Sequence, residues 1–255
     1  MSKLWKKIYT KKQIEFVRDT GASSTPEFTE WVDLPVTAKR LVPEWYKQTD
    51  RFTGGKLDVH MFASNPSSAP SSNTDLGACV PFLDSMLSGY LIQLWTDVIV
   101  SKEEGVTHIN WLVAPKVVEI RRDSTAQHLP CPSGFLKKNM AWVNPIAVRT
   151  PPGYSSLITH PFNRFDLPFL TMSGIVDSDS YHSGGNVPFW LSENFEGIIP
   201  KGTPIIQVFP FKRDNWESKE GDKAMIDKVT KSGWLARSVT SGYYKKNNWT
   251  KKSFE

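Results

Sequence analysis

The side chains best suited to chemistry are concentrated between His160 and Gln207. Asp177 and Asp179 stand two residues apart in the run Gly174-Ile-Val-Asp-Ser-Asp-Ser-Tyr181. Two carboxylates at that spacing can order a Mg²⁺–phosphate complex or activate a water. The same Asp-Ser-Asp-Ser composition also makes a turn that caps its own backbone amides. A polar cluster, His160 with Asn163 and Arg164, precedes it, and His182 follows directly after Tyr181. Histidines beside carboxylates can form a two-His, one-carboxylate metal site. Neither His-x-Asp nor His-x₃-His spacing occurs, however, so no metal site is expected. Ser155 and Ser156 lack the strand–turn–helix pattern of a nucleophile elbow. Cys79 and Cys131 have no neighbouring base and are too far apart for a zinc pattern, so they read as two buried, reduced thiols. No catalytic residue is firm. The candidates are Asp177 and Asp179, with Arg164, Tyr181 and Gln207 as candidate ligand contacts.

The elements that must position these groups read as short strands divided by Pro and Gly turns. Tyr90–Val100 and Thr107–Val113 make a hairpin around Glu103-Glu-Gly105, and Lys116–Arg121 extends it beyond Pro115. Asn139–Val148, Tyr154–Thr159, Gly174–Val176, Val187–Leu191 and Pro204–Phe209 follow, with a first strand over Gln13–Val17. Prolines limit any helix in Leu34–Tyr46 to about two turns. Val80–Leu87 predicts a short helix stopped by Gly89. Asp222–Lys231 predicts a longer one, capped by Asp222, with Ala224, Met225 and Val229 on one face and Gly233 beyond its end. Residues 64–73 predict a surface loop. Such spacing argues for a mainly β, folded-over or barrel-like body and against βαβ units. The organisation expected is an N-terminal arm and proline-rich lead-in (1–77), a core domain (78–212), and a C-terminal helix with a basic aromatic tail (213–255).

Composition fits a globular chain, with 39% hydrophobic and 22% charged residues. Ten tryptophans and 18 prolines favour a β-rich, turn-rich body. No apolar run is long enough to span a bilayer. No apolar stretch follows Lys7, so neither a secretory leader nor a membrane partner is expected, and a cytosolic location is. The net charge of +5 is unevenly distributed: residues 1–12 carry five lysines and no acid, and residues 219–255 carry nine basic and four acidic side chains. The body between is acidic. Basic ends could meet nucleic acid, but no groove-reading element accompanies them, so that partner is not favoured. The aromatic, lysine-rich tail Tyr243–Phe254 reads instead as a strap whose rings dock while its lysines stay solvated.

The stretch Thr150–Phe211 resembles the central part of trimeric dUTPases and the related dCTP deaminases, which share the β-clip fold. Pro152-Gly153, Gly174-Ile-Val-Asp177 with Asp179, and Gly202 with Gln207 carry the likeness. It implies a β-clip-like sheet, Asp177 ordering water or sugar, Tyr181 stacking on sugar and base, and Gln207 reaching a phosphate. Arg164 would serve the phosphate loop and Mg²⁺ would be the cofactor. In that loop, however, Asp166 would repel a phosphate, and no glycine-rich closing motif follows Phe211. A scaffold without cofactor is therefore expected before a nucleotide hydrolase. The chain also resembles a tailed-bacteriophage and bacterial family of unassigned activity. That likeness rests on Ala38-Lys-Arg-Leu-Val-Pro-Glu-Trp-Tyr46, Cys79-Val-Pro-Phe82, the block from Pro151-Pro-Gly-Tyr154 to Pro210-Phe-Lys-Arg213, and the tail from Tyr244 to Phe254. It implies a phage-encoded structural protein in the host cytoplasm or virion, self-associating or binding other phage structural proteins.

Overall fold

The computed structural model describes residues 12–19, 30–51, 76–122, 128–238 and 242–255. The lysine-rich arm up to Lys11 and the loop 64–73 lie outside them. By its internal contacts the chain divides into two units, each discontinuous in sequence. The first combines Met1–Val36 with Gly89–Arg213, and the second combines Thr37–Ser88 with Asp214–Glu255. Reading the sequence in order instead cuts it into consecutive segments at 77 and 212.

The first unit is mainly β. In chain order its strands are β1 (Glu15–Arg18), the two-residue β2 (Val36–Thr37) at whose first residue the unit breaks off, β3 (Tyr90–Gln93), β4 (Val98–Glu103), β5 (Val106–Asn110), β6 (Val118–Ile120), β7 (Met140–Val143), β8 (Ile146–Arg149), β9 (Tyr154–Thr159), β10 (Phe169–Thr171), β11 (Gly174–Val176), β12 (Asn186–Leu191), β13 (Gly197–Ile199) and β14 (Pro204–Lys212). They form four sheets, ordered β1-β8, β10-β12-β7-β6, β11-β9-β14-β3-β2 and β13-β4-β5. The strand pairs β1–β8, β10–β12, β11–β9, β12–β7, β13–β4, β14–β3, β14–β9, β4–β5 and β6–β7 are antiparallel. None of the four sheets closes into a barrel, which corrects the barrel-like expectation.

Two segments expected as single strands are each cut in two, because each half joins a different sheet. Asn144-Pro145 separates β7 from β8. The buried Asn144 amide holds that corner: Oδ1 accepts from Ile146 N at 3.1 Å, and Nδ2 donates to Ile146 O and Gly184 O, both at 2.9 Å. Gly184 must be glycine here, since a Cβ would lie 2.0 Å from Asn144 O. Likewise Leu94–Asp97 separates β3 from β4, with Leu94 N donating to Thr203 O at 2.8 Å. Strands that switch sheets at such corners are how stacked sheets fold over. The core they enclose is centred on Trp142, which stacks on Phe189 at 3.8 Å and meets Phe169 edge-on at 5.0 Å. Its indole N–H donates to Thr171 Oγ1 at 3.2 Å, and that hydroxyl donates to Ile205 O at 2.7 Å. A fully buried tryptophan is thus left with no unmet donor.

The second unit contains α1 (Glu44–Lys47), α2 (Val80–Leu87), α3 (Lys223–Ser238) and α4 (Tyr243–Asn247). Trp45, Tyr46 and Phe82 pack together, with Tyr46 and Phe82 ring centres 6.0 Å apart. The C-terminal tail docks on α2: Trp249 Nε1 and Lys252 Nζ both donate to Asp84 Oδ2, at 2.8 and 2.7 Å. α3 is capped as expected, Asp222 Oδ1 accepting from Met225 N at 2.9 Å. It does not stop before Gly233, however, because the helix formers Leu235, Ala236 and Arg237 carry it on to Ser238. Both cysteines are free, but Cys79 is exposed and Cys131 only half-buried, correcting the expectation of two buried thiols.

Candidate functional site

β9 lies between β11 and β14, and its register fixes what surrounds the aspartates. Val176 is paired with Ser156, while Phe211 and Lys212 are paired with Ser155 and Tyr154. Asp177, one residue past β11, and Arg213, one residue past β14, are therefore brought together over Ser155. Ser155 Oγ donates to Asp177 Oδ1 at 2.7 Å. The Arg213 guanidinium bridges both acids: Nη1 lies 3.2 Å from Asp177 Oδ1 and 2.9 Å from Asp179 Oδ1, and Nη2 donates to Asp179 Oδ2. Nη1 also donates to Ser155 Oγ at 3.0 Å.

The Pro151–Tyr154 turn supplies a further donor. Tyr154 N donates to Pro151 O at 3.1 Å, and Gly153 sits at φ +82°, the glycine position of a type II turn. Gly153 N then donates to Asp179 Oδ2 at 2.9 Å. The Arg213 hydrogen bonds, and next the Gly153 amide, hold the Asp179 carboxyl down to about 2. Between the two acids lies Ser178, fully buried, its hydroxyl 2.7 Å from Ser156 Oγ and 3.1 Å from Thr150 Oγ1. Ser180 N and Tyr181 N both donate to Asp177 O, at 3.0 and 2.9 Å. The run is thus a self-capping turn whose carboxylates share one guanidinium.

Arg164 and Gln207 are placed elsewhere. Gln207 is paired with Thr159, six residues along β14 from Arg213, or about 20 Å of extended chain. Its side chain is 1% exposed, and Oε1 accepts from Phe162 N at 2.7 Å. Arg164 forms a forked pair with Asp166, Nε to Oδ1 at 2.9 Å and Nη2 to Oδ2 at 2.8 Å. Thr171 N donates to His160 Nδ1 at 3.3 Å, so the ring proton is on Nε2, which faces Arg164 O at 3.1 Å. Burial pushes the His160 imidazole below its ordinary range, in keeping with the neutral ring those bonds require.

Tyr181 is half-exposed at the mouth of a cleft of about 230 Å³ beside the turn. His182 lines a second depression with Arg18, Asp19 and Arg149. Among the described residues no three His, Cys, Asp or Glu side chains come together as a metal-ligating group. Arg213, Ser155 and Gly153 are the partners that sequence reasoning missed. Only the Pro-Pro-Gly-Tyr turn and the Lys-Arg ending a β-branched run hinted at them. No family model matches the chain, and neither does any curated protein.

Proposed function

We propose that this chain is a non-enzymatic interaction or assembly protein in which the Asp177–Tyr181 turn acts as a structural clasp. One observation carries the proposal: the two carboxylates that would act on a nucleotide already share the Arg213 guanidinium. The buried amide of Gln207 is used in the same way, holding Phe162 N. Each group thus stabilises a loop of its own chain. A phage-encoded virion or assembly component is the specific form of this reading, resting on the sequence likeness described above. Exposed apolar side chains on α3, among them Met225, Ile226 and Val229, support a partner-binding role.

The alternative is a Mg²⁺-dependent nucleotide hydrolase using Asp177 and Asp179, which the Gly174–Tyr181 likeness favours. Calorimetric titration with nucleoside triphosphates and Mg²⁺ separates the two. The clasp reading expects no binding heat, and expects Asp177→Asn to lower the melting temperature. Nucleotide binding that Asp177→Asn abolishes would overturn it.

A further inference from the structure

The ring of His160 joins two sheets. The residue stands one place past β9, in the five-stranded sheet, and the amide its ring caps belongs to β10, an edge strand of the four-stranded one. β10 bonds β12 through alternate residues: Ser192 N donates to Pro168 O and Met172 N to Pro188 O, both at 2.8 Å. In an antiparallel ladder the residues between such bonds turn their amides the other way. Thr171 N therefore faces the open edge, where an N–H needs an acceptor from outside the ladder. His160 Nδ1 is that acceptor, at 3.3 Å. Thr171 is otherwise fixed, since its hydroxyl accepts from Trp142 Nε1 and donates to Ile205 O.

The second ring nitrogen holds the loop between the strands. Nε2–H donates to Arg164 O at 3.1 Å, and Leu167 N donates to the same carbonyl at 3.3 Å. One neutral imidazole is thus acceptor and donor at once, which only the Nε2–H tautomer allows here. An imidazolium is a donor at both nitrogens. A proton on Nδ1 would set two N–H groups against each other and orphan Thr171 N. Among the described residues the charged groups acting on the ring are Arg164, which disfavours the imidazolium, and Asp166, which favours it. These two are paired with each other at 2.8 Å, so their effects oppose. From β10 the ring meets Phe169 edge-on at 5.8 Å and Thr171, and neither titrates. Burial is the larger influence and keeps the ring neutral below the ordinary imidazole range.

We propose that His160 is a pH-sensitive pin between the two sheets, and that its protonation frees residues 163–171 from the edge of β10. Phe162 stays in place, because its N–H is held at 2.7 Å by the Gln207 amide, which does not titrate. The pin goes beyond the assembly reading and does not depend on it. Its contribution is complete above the ordinary imidazole value near 6.5 and is lost as pH falls through the lowered value of the folded ring. Amide exchange read by NMR on the full chain tests it at about pH 7.5 and about pH 5, with the fully buried Val208 as reference for global opening. Relative to Val208, Thr171 protection should fall about 5- to 30-fold on acidification, while Phe162 keeps its own. His160→Asn offers an oxygen close to where Nδ1 stands but takes up no proton, so its Thr171 protection should change less than ~2-fold. Ring nitrogen shifts of the wild type should show the Nε2–H tautomer at the higher pH. Equal wild-type protection at both pH values, an Nδ1–H tautomer, Phe162 opening together with Thr171, or an asparagine variant that opens as wild type does would each overturn the proposal. The wild-type readings need no variant, so they decide the matter even where the substitution disturbs folding.

Discussion

Replacing Gln207 by methionine separates a structural amide from a ligand-binding one. Methionine has nearly the same length and volume, so the packing around this fully buried position is conserved to first order. What disappears is the acceptor for Phe162 N, now 2.7 Å away. An orphaned, part-buried N–H costs about 1–3 kcal/mol. For a unit of this size each kcal/mol is worth about 2–4 °C in melting temperature, so Gln207→Met should melt about 2–12 °C lower. Gln207→Ala should cost about 2–5 kcal/mol more than the methionine variant, from the buried atoms it deletes. Thermal and urea unfolding followed by circular dichroism measure the change, and amide exchange locates it: Phe162 and its loop should lose protection before the strands do. A methionine variant melting within 1 °C of wild type, with Phe162 still protected, would refute the assignment of Gln207 as a loop anchor.

Two further outcomes follow from the charges. Asp179 has its carboxyl held down to about 2, so its stabilising contribution is complete above the ordinary carboxylate value near 4 and is lost as pH falls through about 2. Melting temperature against pH should therefore fall less steeply in that window for Asp179→Asn than for wild type; parallel curves would contradict the clasp. In the second unit, Asp84→Ala removes the acceptor of both Trp249 and Lys252. It should lower stability by about 1–2 kcal/mol and release the tail to limited proteolysis, whereas an unchanged digestion pattern would exclude docking through Asp84.

Local chemistry was legible in the sequence wherever a residue acts on its own neighbours. Gly89 is a clear example: it stops α2, sits at φ +76°, and has no room for a Cβ, which would lie 2.4 Å from Val208 O. Asp222 caps α3, and the β-branched runs at β9 and β14 are strands, for similarly local reasons. Legibility ends where pairing is remote. β10 and β13 are three-residue strands whose stability comes from β12 and β4, so no periodicity announces them. The corners at Asn144 and at Leu94–Asp97 were hidden because each half-strand has good β composition and only the sheet order decides which neighbour it joins. Arg213 was missed for the same reason, since its partners Asp177 and Asp179 are 36 and 34 residues away.

That remoteness bears on the nucleotide reading. A pocket walled by the Gly174–Asp177 segment and the Gln207 strand would set the two side by side, but β9 runs between β11 and β14 and keeps them two strand spacings apart, about 10 Å. A ligand reaching both would have to displace Arg213 from the acids and Phe162 N from Gln207. Each displaced bond is a cost subtracted from binding, and the competent state would be populated only in the fraction of molecules with both bonds broken. Weak nucleotide binding that strengthens in Arg213→Ala would reveal such a latent pocket. Binding that stays absent in that variant, as in wild type, is what a clasp requires, because the arginine then contributes order and screens nothing that a ligand could use.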